Sequence, residues 1–412
     1  EMDAQAGQRL KELEEAGLMD ETIVFFYGDH GSGMPRSKRW PYNSGLHVAM
    51  IVYVPEKFKH LAPTEYETGG VSDRLVGFID LAPTLLSLVG IQPPDWMQGH
   101  AAMGKHETKP QPYLFGFRGR MDERYDMVRS VRNQRYIYVR NYMPHLIYGQ
   151  YLAYMFQTPT TQVWKRLYDQ GKLNEVQQRF WQRKAPEELY DLQTDPDEVT
   201  NLVDSPTHEA VLKELRQALR DQILRIRDVG FLGEAEMHSR AAGTTIYEMG
   251  HDREKYPLEK ILAMADLASS MKPRTTGDLR EGVRGDRGGA SCRAVMGLLM
   301  RGRRAVRRAR KDLRAALEDA SPTVRVIAAR ALGEHGSQAD LDLALPVLGE
   351  LAPPDKNGAY VSMLDLNAID ALGEKAASLM ETIKNMPTKD PSAVGRANGY
   401  VSRLVKNLVE TN

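Results

Sequence analysis

The sequence has one cysteine, no net charge and no long apolar run. A lone Cys292 excludes an intrachain disulfide framework, although it does not decide the compartment because many exported enzymes have no disulfides. No apolar run approaches the ~20 residues that a membrane helix needs. The 55 Lys and Arg residues balance 55 Asp and Glu residues. The whole-chain charge therefore indicates no polyanionic partner, which leaves only local basic patches to consider.

The amino terminus shows neither an initiator methionine nor a signal peptide. Residues 4–16 instead have the pattern of an amphipathic helix, with Gly17 as its stop signal. We therefore expect the chain to begin inside a domain. Its 412 residues, with 42% hydrophobic and 27% charged residues, predict a soluble globular protein of two or three domains at ~150 residues per domain.

The most informative stretch is Thr22 to Lys38, TIVFFYGDHGSGMPRSK. Its first six residues are uncharged and β-branched or aromatic, which predicts a strand buried on both faces, as in a parallel sheet. Asp29 and His30 follow, flanked by glycines that let the backbone turn. Open α/β sheets place their sites at the carboxyl ends of strands, where a buried carboxylate is costly without a cation. The pair is a candidate metal site, with Lys38 as a cation for an anionic substrate; the alternative is a turn with solvated charges.

The next elements follow from the same patterns. Val48 to Val54 is predicted to be a second buried strand, and Val71 to Ile79 a third. Asp80 is a plausible N-cap for a helix that Gly90 closes, with a surface loop over the Pro- and Gly-rich residues 91–112.

The pattern changes after residue 112. Asp126 to Val131 and Arg135 to Val139 predict an antiparallel hairpin, and Glu188 to Leu192 a later strand. A helix follows, with Thr207 as its expected N-cap and Gly230 at its end.

Residues 273–290 are rich in Gly, Arg and Asp, which predicts a linker, and the chain beyond it is predicted to be all-helical. There, Ala328-x-x-Ala331-Leu332-Gly333-Glu334 recurs as Ala368-x-x-Ala371-Leu372-Gly373-Glu374. The offset falls within the ~40–47 residues of HEAT-type repeats. The alternative is two unrelated Ala-rich helices that end in Gly.

Several collinear motifs resemble the second half of a sulfatase catalytic domain. TIVFFYGDHGSG, RSKRW and HVAMIVYVP come first, and DLAPTLL at 80–86, Gly90-Ile91 and Met97-Gln98-Gly99 are similar to that family's helix and following loop. ELYDL at 188–192, DPDE at 195–198 and Asn201-Leu202 are similar to its C-terminal signature. The match covers about residues 5–235, and the short metal-to-lysine spacing is most similar to the heparan N-sulfatase-like branch.

The resemblance implies an α/β fold class in four parts. Residues 1–112 would be the C-terminal part of an alkaline-phosphatase-like α/β/α sheet domain, and residues 113–235 a small antiparallel-sheet subdomain. Residues 236–290 would be an extension and linker, and residues 291–412 an all-α HEAT-like repeat domain.

The resemblance also implies a sulfuric ester hydrolase that acts on a sulfated carbohydrate or an aryl sulfate. Asp29 and His30 would ligate one Ca²⁺ ion, and Lys38 would bind the sulfate, with Arg36 or Arg39 as alternatives. Because calcium prefers oxygen ligands, His30 would touch the sulfate or only the edge of the ion. By family habit the protein would be periplasmic, secreted or lysosomal.

His47, just before the second predicted strand, is a candidate to bind substrate or protonate the leaving group; the alternative is a strand-edge histidine. Arg118 and Arg120 are interpreted as surface ion-pair partners of Asp122 and Glu123, or as contacts to a substrate polyanion.

Two parts of a sulfatase site are missing. The family's formylglycine nucleophile arises from Cys/Ser-x-Pro-x-Arg, but no Pro follows Cys292 at the required place, and after Ser32 the Pro comes one residue late. The family's first pair of metal aspartates has no counterpart either. We expect the formylglycine to lie in a missing N-terminal part and this chain alone to be inactive. The rivals are a phosphate-ester hydrolase of the alkaline-phosphatase superfamily, and a truncated non-catalytic homologue that binds partners through its helical repeats.

The run from Arg301 to Arg314 is strongly basic, and on a helix its charges are expected to spread around much of the circumference. A solvated face is the ordinary interpretation, and a patch for a sulfated polysaccharide is the sharper one. Nucleic acid is not expected, since no reading motif accompanies the charge.

Overall fold

The structure is a computed structural model that describes residues 1–285, 289–393 and 396–411. Its first part contains α1 (Met2–Glu15), β1 (Val24–Tyr27), α2 (Asn43–Leu46), β2 (Met50–Tyr53) and α3 (Leu81–Leu88). The sequence prediction of α1, with Gly17 after it, is confirmed.

The strand β1 forms where the apolar run predicts it, but its pairing and burial differ from the prediction. It pairs antiparallel with β2, Val24 opposite Tyr53 and Tyr27 opposite Met50. Phe26 is 39% exposed and Ile51, its register partner, 62% exposed. The prediction of a strand buried on both faces in a parallel sheet is therefore wrong for the described residues. The reason is that the described residues supply only two strands to this sheet, and no other described element covers the face that carries Phe26 and Ile51.

The third predicted strand, Val71 to Ile79, is also wrong. These residues are irregular and end in a 3₁₀ turn, Phe78–Asp80, directly before α3. The Asp80 carboxylate does not cap α3 but accepts the backbone N–H groups of Gly77 (2.8 Å) and His100 (2.7 Å). Asp80 thus ties the start of α3 to the loop that follows the helix.

A four-stranded antiparallel sheet forms the middle of the molecule. Its strands, in the order of both sequence and space, are β3 (Leu114–Arg118), β4 (Val128–Arg132), β5 (Tyr136–Asn141) and β6 (Glu187–Asp191). The predicted hairpin and the predicted later strand are confirmed. Helices α4 (Pro159–Asp169) and α5 (Glu175–Gln178) lie between β5 and β6 in the chain, and α6 (Glu209–Arg225) follows β6. A 3₁₀ turn, Pro206–His208, delays the start of α6 beyond the expected N-cap.

Side chains alternate between the two faces of this sheet, as the strand period requires. Val131, Tyr138 and Leu189 face a core that α6 completes with Leu212, Leu215, Leu219 and Ile223. The opposite face meets a mostly aromatic cluster that includes Trp40, Tyr42, Phe180 and Trp181. The sheet therefore connects the loop after β1 with the helical part of the chain.

The remainder of the described chain is helical. Its helices are α7 (Glu234–Arg240), α8 (Ile246–His251), α9 (Leu258–Ser269), α10 (Thr276–Gly285), α11 (Gly289–Met300), α12 (Arg303–Arg308), α13 (Arg310–Ala315), α14 (Pro322–His335), α15 (Gln338–Leu351), α16 (Pro354–Asn357), α17 (Ala359–Leu372), α18 (Met380–Asn385) and α19 (Ala397–Thr411). The mixed helix-and-sheet class, with small antiparallel sheets and a helical C-terminal part, is confirmed.

The residues predicted to form a linker include helix α10. Leu279 of this helix is fully buried, and Arg280 and Arg284 both pair with Asp312. Part of the predicted linker, residues 286–288, lies outside the described residues. The four-part division of the chain stays a prediction.

Helices α14 and α17 carry the two copies of the repeated motif and pack against each other. Ser321 is the N-cap of α14 and Pro322 its first residue, a place where proline fits because its missing N–H would have no helical partner. The HEAT-like assignment stays a prediction. No helix among the described residues is long and apolar enough to span a membrane.

Candidate active site

The segment between β1 and β2 forms a cleft of about 620 Å³, here called the loop cleft. Two glycines allow this segment to fold tightly on itself. A Cβ on Gly31 would lie 2.2 Å from the Ser44 carbonyl oxygen, and one on Gly45 would lie 2.2 Å from that of Trp40. The residues lining the cleft are Gly28, His30, Gly31, Ser32, Met34, Pro35, Arg36, Ser37, Ser44, His47, Val48, Ala49 and Trp164.

Asp29 and His30 lie at the end of β1. The His30 Nδ1 lies 2.6 Å from the Gly31 carbonyl oxygen, and its Nε2 lies 3.5 Å from the Asp29 Oδ2. In the tautomer that donates from Nδ1 to this carbonyl, the Nε2 lone pair is available to a metal ion. The Asp29 side chain is 86% exposed, so the expectation of a carboxylate at a buried strand end is wrong.

This pair fits part of a metal site. Oδ2 and Nε2 are close enough to ligate one ion together, but calcium takes six to eight oxygen ligands. Within residues 1–285, 289–393 and 396–411, no group of three or more His, Cys, Asp or Glu side chains could hold a metal ion. Any metal bound here therefore needs ligands beyond those that the described residues bring together.

The two arginines beside Lys38 are engaged elsewhere. Arg36 donates to the carbonyl oxygens of Asp197 and Glu198, at 2.7 Å each. Arg39 donates to the Asp122 carboxylate at 2.9 Å. Both arginines have positive φ, 64° and 86°, a conformation that side-chain-bearing residues adopt only when their surroundings hold them. These contacts fix the loop and occupy both guanidinium groups.

Lys38 forms no ion pair with the residues that the structure describes. Its ammonium lies 5.1 Å from the centre of the Tyr154 ring, within the range of a cation–π contact. Of the three neighbouring cations in the loop, Lys38 is thus the one whose charge is not neutralised by a carboxylate or held by carbonyl oxygens.

The structure brings two of the four sequence-predicted site residues to the loop cleft. His30 and His47 both line it, and His47 lies between α2 and β2 with an exposed side chain. Asp29 and Lys38 do not line the cleft, although Asp29 adjoins His30. The assignment of roles to these four residues stays a prediction.

Sequence reasoning missed the buried groups that hold the loop against the sheet. The Glu188 carboxylate of β6 accepts hydrogen bonds from the hydroxyls of Tyr42 (2.8 Å), Tyr148 (2.6 Å) and Tyr190 (2.7 Å). Burial, followed by the charge of Glu188, raises the pKa of all three tyrosines. A charged residue at an inward-facing strand position is the signal that could have revealed this network.

Arg118 is also buried, contrary to the expected surface ion pair. Its guanidinium pairs with Asp126 at 3.2 Å, donates to the Arg39 carbonyl oxygen at 2.9 Å and lies over the Trp40 ring. Lys184 is a second buried partner of Asp126. This charged cluster lies directly behind the loop.

The single cysteine is not placed to be a nucleophile. Cys292 is buried in α11, and burial raises the pKa of its thiol to about 11. Because the thiolate is the reactive form, we expect no reaction with a disulfide reagent at neutral pH in the folded protein, and one reacting thiol after denaturation. Colorimetric titration with and without denaturant measures this, and rapid labelling of the native chain would contradict it.

Residues 1–91 match a family model described as Sulfatase. This part of the chain is similar to sulfatases. Sequence similarity to sulfatases extends further, with 41% identity over 238 residues to an ulvan-active sulfatase of Formosa agariphila, covering 58% of this chain and 39% of that protein. The human N-sulphoglucosamine sulphohydrolase is 27% identical over 234 residues, covering 53% and 44% of the two chains. The chain thus spans about two fifths of the length of these sulfatases.

A solved Bacteroides thetaiotaomicron protein, itself described as a candidate sulfatase, superposes with a TM-score of 0.38 at 26% identity. The superposition covers 54% of this chain and 40% of that one. The sulfatase resemblance is confirmed by the sequence matches, which include the β1 loop and its Asp-His pair.

Proposed function

We propose that this chain contributes part of the active site of a sulfuric ester hydrolase that acts on a sulfated carbohydrate. The observation that carries the proposal is the loop cleft, which His30 and His47 line in a segment similar to sulfatases, with Asp29 next to His30. The human relative is named for a sulfated amino sugar, which supports a carbohydrate over an aryl sulfate. Export from the cytoplasm belongs to the same proposal.

Each residue has a proposed role. Asp29 and His30 would hold one calcium ion, and bound calcium would offset the negative charge of the sulfate oxygens. Lys38, whose ammonium is not neutralised by any described carboxylate, would stabilise charge that develops on the sulfate group. His47, which also lines the cleft, would donate a proton to the leaving oxygen.

The nucleophile and the remaining metal ligands would come from sequence outside these 412 residues. No Cys/Ser-x-Pro-x-Arg motif occurs in the chain, and Cys292 is buried. The first part of the structure exposes several large apolar side chains, against which such a segment would pack. Its large exposed side chains are Phe26, Ile51, Ile79, Leu85 and Val89.

The test is hydrolysis by the complete protein encoded by the full open reading frame. We expect it to release sulfate from a sulfated oligosaccharide in a calcium-dependent reaction, and residues 1–412 alone to show no turnover. Matched aryl sulfate and aryl phosphate esters, assayed in parallel, separate the sulfatase from the phosphatase alternative. Faster release of phosphate than of sulfate, or no release of either, would overturn the proposal.

A further inference from the structure

The basic run from Arg301 to Arg314 separates into two groups in the structure. Arg301 donates to the carbonyl oxygens of Ala268 (2.7 Å) and Leu267 (2.9 Å), and so holds α11 against α9. Arg310 and Arg314 pair with the buried Asp340, at 3.3 Å and 2.7 Å. The other five cations are exposed and are here called the α12 patch: Arg303, Arg304, Arg307, Arg308 and Lys311.

The four arginines of the α12 patch lie on one side of α12, whereas Arg301, Arg310 and Arg314 reach partners on other elements. At 3.6 residues per turn, the four arginines cover roughly 140° of the circumference. Ala305 and Val306 occupy the opposite side and are buried. Lys311 continues the exposed side about one turn further along, in α13.

The positive charge of the α12 patch is not neutralised by the described part of the chain. The nearby carboxylate of Asp312 is taken by Arg280 (2.8 Å) and Arg284 (2.7 Å). Asp340 forms ion pairs with Arg310 and Arg314. None of the five cations of the patch forms an ion pair with a described residue. A chain without net charge therefore presents a compact cationic surface at this place.

We propose that the α12 patch is a second, non-catalytic binding surface for a sulfated polysaccharide. Guanidinium groups match the oxygens of sulfate and phosphate esters through paired hydrogen bonds. Residues 301–321 contain no aromatic side chain on which bases could stack, which disfavours single-stranded nucleic acid. The choice of a sulfated polymer rests on the proposed function. A second contact to the same polymer would raise its effective concentration at the loop cleft.

The test is equilibrium binding of the 412-residue chain to dextran sulfate, with neutral dextran as the uncharged control. We expect binding to the sulfated polymer alone, and a loss of roughly 100-fold in affinity between 50 and 200 mM salt if four cations make contact. The variant R303A/R304A/R307A/R308A should bind at least about 10-fold more weakly at low salt and depend less on salt. Its lysine counterpart, R303K/R304K/R307K/R308K, retains the charge but not the paired hydrogen bonds, and should bind more tightly than the alanine variant and more weakly than wild type.

A matched control removes the same charge from scattered exposed positions. The four residues replaced in K172A/K213A/R253A/K384A are exposed, and none forms an ion pair or a side-chain hydrogen bond with a described residue. This control should bind dextran sulfate within about twofold of wild type, because its cations do not form one surface. Equal loss in the control, no loss in the patch variant, or tighter binding of duplex DNA than of dextran sulfate at equal charge would each overturn the inference.

The binding test is independent of turnover. If the complete protein releases no sulfate while the patch variant loses dextran sulfate binding, the proposed function fails and the α12 patch stands. If the complete protein hydrolyses a small sulfate ester while the patch variant binds the polymer as wild type does, only the α12 patch fails.

Discussion

Replacing Asp126 by alanine is expected to lower the free energy of unfolding by about 3–5 kcal/mol, the usual effect of removing one partner from a buried ion pair. The side chains of Asp126, Arg118 and Lys184 are all fully buried. Asp126 is the carboxylate for both cations, with its Oδ2 3.2 Å from Arg118 and its Oδ1 2.5 Å from Lys184. D126A would leave both buried cations without their hydrogen-bonded carboxylate, with Glu188 and Asp122 acting on Lys184 and Arg118 only through space.

The same cluster predicts how the loss depends on pH. Burial lowers the pKa of the Lys184 ammonium even with Asp126 present, so in D126A the folded state would favour the neutral amine more strongly. The unfolded chain keeps its lysine protonated up to about pH 10.4. The folded state therefore binds fewer protons, and the stability of D126A should rise as the pH increases from 7 toward that value.

Chemical denaturation followed by tryptophan fluorescence measures this effect, since the Trp40 ring lies 4.7 Å from the Arg118 guanidinium. The matched control is D169A, which breaks the exposed pair between Lys165 and Asp169 on α4. It should change the free energy of unfolding by less than about 0.5 kcal/mol. If D126A and D169A unfold at the same denaturant concentration, the buried cluster does not stabilise the fold as described.

Local patterns were sufficient to predict three of the four strands of the antiparallel sheet, β4, β5 and β6, but not β3. The hairpin predicted from Asp126 to Val131 and Arg135 to Val139 forms as β4–β5, because strand period and turn chemistry are both contained in a few consecutive residues. The helix predicted after Thr207 also forms, as α6, and its buried residues, which include Leu215 and Leu219, recur at helical spacing. In both cases the element and the face it buries are encoded in the same short window.

Contacts that are distant in sequence explain the wrong predictions. An uncharged run such as Val24 to Tyr27 does not reveal whether its neighbours are parallel or antiparallel, nor whether both faces are covered. Helix α10 looked like a linker by composition, but Arg280 is held by Asp312, 32 residues away. Asp312 lies outside residues 273–290, so the composition of that segment alone does not predict this ion pair.

The candidate site divides in the same way. The adjacency of Asp29 and His30 is a property of the sequence, so their proximity was predictable. The sequence did not predict which of the loop cations stays available for a substrate. Arg36 binds Asp197, which is 161 residues away in the chain, and Arg39 binds Asp122, which is 83 residues away. Only the folded chain distinguishes Lys38 from its two neighbours.

Replacing Asp29 by alanine in the complete enzyme is expected to lower kcat/KM for a sulfate ester by at least about 100-fold. Loss of an outer partner of a metal ligand typically costs 10–100-fold in metal affinity or activity, and Asp29 is proposed as a direct ligand. Calorimetric titration with calcium should show a matching loss of affinity. The melting temperature should not change in metal-free protein, because the Asp29 side chain is 86% exposed and its one polar neighbour among the described residues is the His30 ring.

The separation of these readouts distinguishes a metal ligand from a residue that supports the loop. Replacing a residue that only supports the loop would lower the melting temperature of the metal-free protein. Any decrease in calcium affinity would then result from the lower stability of the loop. D95A is the matched control, because Asp95 is an exposed carboxylate with no side-chain partner among the described residues. It should leave activity, calcium affinity and melting temperature as in wild type. If D29A binds calcium as tightly as D95A does, Asp29 is not a ligand, and the proposed metal site at the end of β1 is wrong.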